Sequence, residues 1–340
     1  MRRLAILLAP LALGAVALGN AGAGTERSAS AEEASVAATR AVCHRTGSAR
    51  RPYVRIRVTA RGLRTHTAHA ADIVPAPRRC PATVLTPTAG GTAFAINLVG
   101  EAESPAGDPV GTGTATVRLR RGQGQACFTI RAENIALPSV GAHIHRGTAT
   151  ENGGIVVQLR APGANGQSSG CVAASRTLVA QILASPAGYY VNVHTTEFPA
   201  GAIRGQVGGA RRELGRTLTT SLTGAQECNS AGTCGVGDAD GAGNAIVRIR
   251  ADEPQVCFRI TVQNVVLPSV GAHIHRAAAG ANGPIVVPFR APDAGGNSSG
   301  CVSVAQTVID AILAGPTGYY VNVHSTDFPG GAVRGQLPAA

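Results

Sequence analysis

Two stretches of the chain put histidines where they could do chemistry: "GAHIHRG" at residues 141–147 and "GAHIHRA" at 271–277. In an extended strand, successive side chains point to opposite faces, so His143 and His145 share a face, as do His273 and His275. Further on, "YYVNVHT" and "YYVNVHS" place Tyr190, Asn192 and His194, or Tyr320, Asn322 and His324, on one face against Val191 and Val193 or Val321 and Val323. In "AIRGQV" and "AVRGQL", Arg204 and Gln206, or Arg334 and Gln336, alternate with small and apolar neighbours. If these strands are neighbours, His143, His145, Asn192, His194, Arg204 and Gln206 form one polar patch. His273, His275, Asn322, His324, Arg334 and Gln336 repeat it.

Three chemistries fit such a patch. Three imidazoles on adjacent strands suit Zn²⁺ or Cu²⁺, with His143, His145 and His194 as one ligand set and His273, His275 and His324 as the other. The same side chains could instead form a hydrogen-bonded network that satisfies the sheet, or bind an anionic ligand. Arg204 opposes the metal reading unless it points away or pairs with Glu197 or another acid. A hydrolytic triad is disfavoured. No GxSxG occurs, the serines of "SSGC" precede cysteines, and Glu197 and Asp327 follow the histidines in a turn-like "TEFPAG" or "TDFPGG" context.

The elements that must position these residues come in duplicate. At an offset of 130, residues 137–207 and 267–337 are identical at 46 of 71 positions without a gap. That period is too long for a solenoid and marks a tandem domain duplication, with copies at residues 89–210 and 217–340 joined by the polar linker 208–216. The second copy is six residues longer near its start, where Cys228 and Cys234 lie. Alternating runs such as "TATVRLR", "NAIVRIR" and "CFTIRAENI", separated by glycine-rich turns, predict strands. One helix per copy is expected in "TLVAQILASP" and "TVIDAILAGP", with Leu178 and Ile182, or Val308 and Ile312, four apart on one face and a proline at the end. The fold class is all-β: two tandem antiparallel β-sandwich domains of Greek-key-like form, each with one short helix, plus a small disulfide-linked N-terminal segment.

The motifs "GAHIHRG…NG…IVV" and "GYYVNVHTTEFPAGAIRGQV", in order and in both copies, resemble the chordin-type domain, CHRD, over residues 92–208 and 217–338. The resemblance implies an extracellular β-rich domain, best known from chordins that sequester bone morphogenetic proteins. It implies no catalytic residue. The expected function is therefore a secreted, non-enzymatic protein that binds an extracellular protein partner or an anionic cell-envelope polymer. The alternative is an extracellular metalloprotein with a His₃ zinc or copper site per domain. Copper–zinc superoxide dismutases also use an HxH on a sandwich strand, a likeness limited to the tripeptide and the general architecture.

The rest of the chain sets the compartment. Arg2 and Arg3, the apolar run Leu4–Leu18 and Ala21-Gly22-Ala23 read as a signal peptide over residues 1–23. Residues 24–40 read as a disordered leader. No later run approaches a membrane span. Eight cysteines suit an oxidising compartment, and pairing in chain order is one of 105 connectivities: Cys43–Cys80, Cys127–Cys171, Cys228–Cys234 and Cys257–Cys301. Residues 41–88 form a basic Cys/His segment in which a Cys43–Cys80 disulfide competes with Zn²⁺ binding by those cysteines and His44, His66 and His69. Eleven arginines against four acids in residues 24–80 carry most of the +11 charge. That suits an anionic polymer or a solvated basic face. With aromatics at 3% there are too few stacking platforms for nucleic acid. "GDADGAGN" places Asp238 and Asp240 in Ca²⁺-loop-like spacing, with a plain glycine turn as the competing reading.

Overall fold

The structure, a computed structural model, describes residues 39–48, 50–68 and 91–339, and, between them, 72, 73, 76, 78–80 and 82. The expected signal peptide, nearly all of the leader and His69 lie outside the described residues. The N-terminal segment pairs β1 (Arg40–Arg45) with β2 (Tyr53–Val58) in an antiparallel ribbon, followed by helix α1 (Ala60–Ala68). No apolar stripe in the sequence predicts that helix.

Each copy then folds into one eight-stranded antiparallel sheet. In copy one the strands are β3 (Thr92–Val99), β4 (Thr112–Arg120), β5 (Gln125–Glu133), β6 (Gly141–Arg146), β7 (Ile155–Leu159), β8 (Gln167–Ala173), β9 (Tyr189–His194) and β10 (Ile203–Gln206), with α2 (Arg176–Ala184) before β9. Copy two repeats them as β11 (Arg216–Thr223), β12 (Ala242–Arg250), β13 (Gln255–Gln263), β14 (Gly271–Arg276), β15 (Ile285–Phe289), β16 (Asn297–Ser303), α3 (Gln306–Ala314), β17 (Tyr319–His324) and β18 (Val333–Gln336). The spatial order is β7-β6-β9-β10-β3-β4-β5-β8, and its equivalent in copy two. The outer strands β7 and β8 come together where Ser168 Oγ donates to the Arg160 carbonyl at 2.6 Å. The sheet therefore curls into a flattened near-barrel, with both edges covered by each other.

Strand parity places the core. Val117, Leu119, Phe128, Ile130, Ile144, Val191, Val193 and Ile203 are buried in one cluster, and their counterparts in copy two form a second. Burying one such side chain is worth about 1.5–3 kcal/mol. A one-residue slip of β6 or β9 would turn Ile144 or Val191 outward and is strongly disfavoured. That same constraint turns His143, His145, Asn192 and His194 to the opposite face. In the helices, Val179 and Ile182, or Ile309 and Ile312, are the buried pairs. Leu178 and Val308, one residue earlier, are partly buried and pack against the same cores. The Ser175 side chain caps α2 by accepting from Leu178 N at 3.1 Å.

All four disulfides pair in chain order. Cys127 stands directly across from Cys171 in the β5–β8 register, as does Cys257 from Cys301 between β13 and β16. The Cys43–Cys80 bond removes both thiolates from the zinc reading of the N-terminal segment. Asp238 and Asp240 sit in a turn closed by Gly241 N donating to the Asp238 carbonyl, so the glycine-turn reading holds there. Asp108, the counterpart of Asp238, accepts from Val110 N and Gly111 N in the same kind of turn.

The two copies are clamped together by charge. Arg248, fully buried, donates both terminal nitrogens to the Glu101 carboxylate at 2.9 Å. Arg250 lies 3.2 Å from the same carboxylate. Arg259 pairs with the buried Asp108 and lies 3.6 Å from Glu197.

Candidate functional site

Strands β6, β9 and β10 are consecutive neighbours, and their register brings the polar residues into rows. His145 stands opposite Tyr190, and His143 opposite Asn192. Asn192 in turn faces Arg204, and Tyr190 faces Gln206. His194 pairs with Gly141, which puts its ring diagonally beside His143, with centroids 4.9 Å apart. Copy two has the same registers on β14, β17 and β18.

The three histidines converge. Each of His143, His145 and His194 offers a ligand atom, and these atoms all lie within 4.8 Å of one another; the same holds for His273, His275 and His324. Two rings in each trio are fixed by backbone. His145 Nδ1 is 2.8 Å from the Gly153 carbonyl and His194 Nδ1 is 3.0 Å from the Pro199 carbonyl. The equivalents are 2.9 Å from His275 to Gly283 and 3.0 Å from His324 to Pro329. A carbonyl only accepts, so Nδ1 must carry the proton and Nε2 the lone pair. Those Nε2 atoms are buried and have no hydrogen-bond partner among the described residues, and neither does Nδ1 of His143 or His273. Gly141 makes room for the trio. A Cβ there would lie 3.1 Å from His143 Cε1 and 3.5 Å from His194 Cδ2, and Gly271 is equally confined.

Electrostatics favours the neutral form of five of these six rings. Burial, with the neighbouring histidines adding to it, lowers His143 and His273 to about 4. Burial also lowers His194, His275 and His324.

Arg204 and Gln206 do not open onto the patch. Arg204 Nη2 donates to the carbonyls of Thr148 (2.6 Å) and Glu151 (2.9 Å), and Nη1 to Asn152 Oδ1 at 3.1 Å. Gln206 Nε2 donates to the Gly147 and Ala187 carbonyls at 2.6 and 2.8 Å. Arg334 and Gln336 hold the corresponding loop of copy two. These two side chains thus pin the β6–β7 loop, and that loop supplies the Gly153 carbonyl that orients His145. The guanidinium carbon of Arg204 lies 3.3 Å from the Tyr190 ring centroid, while His145 stacks on Tyr190 at 4.8 Å and 7°. The charge that opposed a metal is therefore held on the far side of a tyrosine from the histidines. Glu197 pairs across the copies with Arg259 rather than with Arg204.

One buried carboxylate per copy went unnoticed in the sequence. Glu103 and Glu227 are raised to about 7 by burial, with Arg204 or Arg334 opposing. Asn322 Nδ2 donates to Glu227 Oε1, and Asn192 stands between Glu103 and His143. Gly201 and Gly331, at φ +144 and +140, leave the space these carboxylates fill. The signal was present: allowing for the six-residue insertion, Glu103 aligns with Glu227.

A third cluster lies in the N-terminal segment. The buried Asp72 carboxylate accepts from Arg45 N at 2.7 Å and lies 3.0 Å from His44 Nδ1 and 2.5 Å from His66 Nδ1. His44, His66 and Asp72 thus form a third group whose ligand atoms lie within 4.8 Å of one another.

The CHRD domain matches residues 94–207 and 218–337, more than half of the chain. The chain belongs to the CHRD domain family. No curated protein matches it. Both CHRD matches contain a complete histidine trio, together with its buried glutamate and loop-pinning arginine. The tandem CHRD domains support a binding-type protein. No described helix is long and apolar enough to cross a membrane.

Proposed function

We propose that this chain is a non-enzymatic binding protein of the extracellular space or cell envelope, in which two CHRD domains present the same face twice. The observation that carries this reading is the pattern of divergence between the copies. Strands β6 and β14 read GAHIHR, and β9 and β17 read YYVNVH, letter for letter. The far side of the same sheets has drifted, from TGTATVRLR in β4 to AGNAIVRIR in β12. Packing alone asks only for apolar residues of similar size on one side of each strand; here the polar side is shared as fully as the apolar one, and we take it as the working face. Four disulfides support an oxidising compartment.

The N-terminal segment supplies the means of retention. Arg50, Arg51, Arg55, Arg57 and Arg61 are exposed around the β1–β2 ribbon and the start of α1, a surface suited to an anionic envelope polymer. The test is to fractionate the producing cells and to sediment the purified chain with an anionic cell-wall polymer. The chain is expected outside the cytoplasm with its disulfides formed. It should co-sediment at low salt and be released at high salt, and replacing Arg50, Arg51, Arg55 and Arg57 by Gln should weaken binding. A cytoplasmic chain with free thiols would contradict the extracellular reading. Salt-insensitive behaviour that these substitutions leave unchanged would contradict the polymer assignment and favour a protein partner.

A further inference from the structure

We propose that the three imidazoles in each CHRD domain form a binding site for a late first-row transition-metal ion, zinc or copper. The donor set argues for this chemistry. All three ligands are imidazole nitrogens, which suit zinc and copper, whereas calcium and magnesium demand oxygen. A tetrahedral ion with Zn–N bonds of about 2.0–2.1 Å holds its nitrogens roughly 3.4 Å apart. The ligand atoms already lie within 4.8 Å of one another, so small ring rotations complete the contact.

The surroundings argue for an ion rather than for an internal network. A network needs donors facing acceptors. Here His145 and His194 spend their protons on the Gly153 and Pro199 carbonyls, and their Nε2 lone pairs are left buried and unmatched. The same holds for His275 and His324. Buried acceptors without a donor are costly, and a cation satisfies both lone pairs at once. An anion would meet lone pairs and is excluded on the same ground. A backbone carbonyl holding the outer imidazole nitrogen is also the usual support of a metal-bound histidine. Three protein ligands leave a fourth position for water or a donor from a partner. The inference does not rest on the polymer reading, because the trio and the basic ribbon are separate structures.

The test uses the full chain, stripped with a chelator and titrated separately with Zn²⁺ and with copper in competition with a chromophoric chelator. Two equivalents per chain are expected, one per domain. His273→Gln should retain one tight equivalent, and His143→Gln with His273→Gln should weaken both sites by more than about 100-fold. Far-ultraviolet circular dichroism checks that the variants are folded. The copy left intact in the single variant serves as an internal control should the double variant fail to fold. X-ray absorption on the loaded protein should show imidazole nitrogens, and the competition decides between the two metals. Wild-type protein that takes up neither metal would overturn the proposal. So would a folded single variant that keeps the full wild-type stoichiometry.

Discussion

At the scale of residues, burial of titratable groups gives the site a definite pH signature. His143 and His273, lowered to about 4, and His194, His275 and His324, also lowered, are neutral when folded and ionise near 6.5 when unfolded. Between pH 6.5 and 4 the unfolded chain binds more protons, so their contribution to stability is present above 6.5 and drains away as pH falls. Glu103 and Glu227, raised to about 7, have the opposite sign. From pH 4.5 to 7 the folded chain holds protons that the unfolded chain has lost, so their contribution falls as pH rises. Subtracting urea-unfolding free energies of variants from those of metal-free wild type, pH by pH, isolates each group. His143→Gln should flatten the acid limb. Glu103→Gln should gain stability relative to wild type as pH passes from 4.5 to 7. A Glu103→Gln difference that is constant with pH would show that this carboxyl titrates normally. Parity made the histidines legible in the sequence. The roles of Arg204 and Gln206 were not legible, because they depend on a loop, residues 147–154, folding back onto a strand some fifty positions away.

At the scale of elements, strands were legible wherever one face is buried, and alternation in "TATVRLR" or "CFTIRAENI" maps onto β4 and β5. Short helices were legible as elements, and the pair Leu178 and Ile182 marks the side of α2 that packs on the core, where Val179 is buried beside Ile182. Helix α1 was missed because its sequence, ARGLRTHTA, carries a single leucine and no apolar stripe. The β5–β8 pairing joins strands distant in sequence, and the Cys127–Cys171 bond crosses it with a separation of 44 residues. Closing a loop of that length is worth about 4 kcal/mol in the chain-entropy model. Replacing both cysteines by Ser should lower stability by about that amount, and the pair Cys257 and Cys301 should behave alike. Denaturant midpoints checked against an unchanged slope would establish it. A loss below about 1 kcal/mol would mean that the reduced, unfolded chain already keeps these strands together.

At the scale of the whole molecule, the duplication was legible as self-similarity, but the clamp between the copies was not. Glu101 has no counterpart in copy two, where Ala225 stands, so comparing the copies could not single it out. Each copy has its own core cluster. Yet Arg248 of copy two is buried against Glu101 of copy one, and although burial pushes Glu101 upward, the Arg248 hydrogen bond and charge hold it below the usual range. Glu101→Ala leaves a buried guanidinium short of its carboxylate and should cost about 3–5 kcal/mol. Calorimetry should then show copy two melting ahead of copy one, where wild type melts in closer register. An unchanged thermogram would mean that the clamp does not couple the copies.

Each CHRD domain thus holds a preassembled trio of imidazoles with inward lone pairs. Long-range proton–nitrogen NMR of the ring nitrogens, recorded on the full metal-free chain across the acid range, tests it most directly. His145, His194, His275 and His324 should carry a proton on Nδ1, and His143 and His273 should stay uncharged until pH nears 4. Bare Nδ1 with the proton on Nε2 at the first four positions, or His143 and His273 titrating near 6.5 like exposed imidazole, would contradict it.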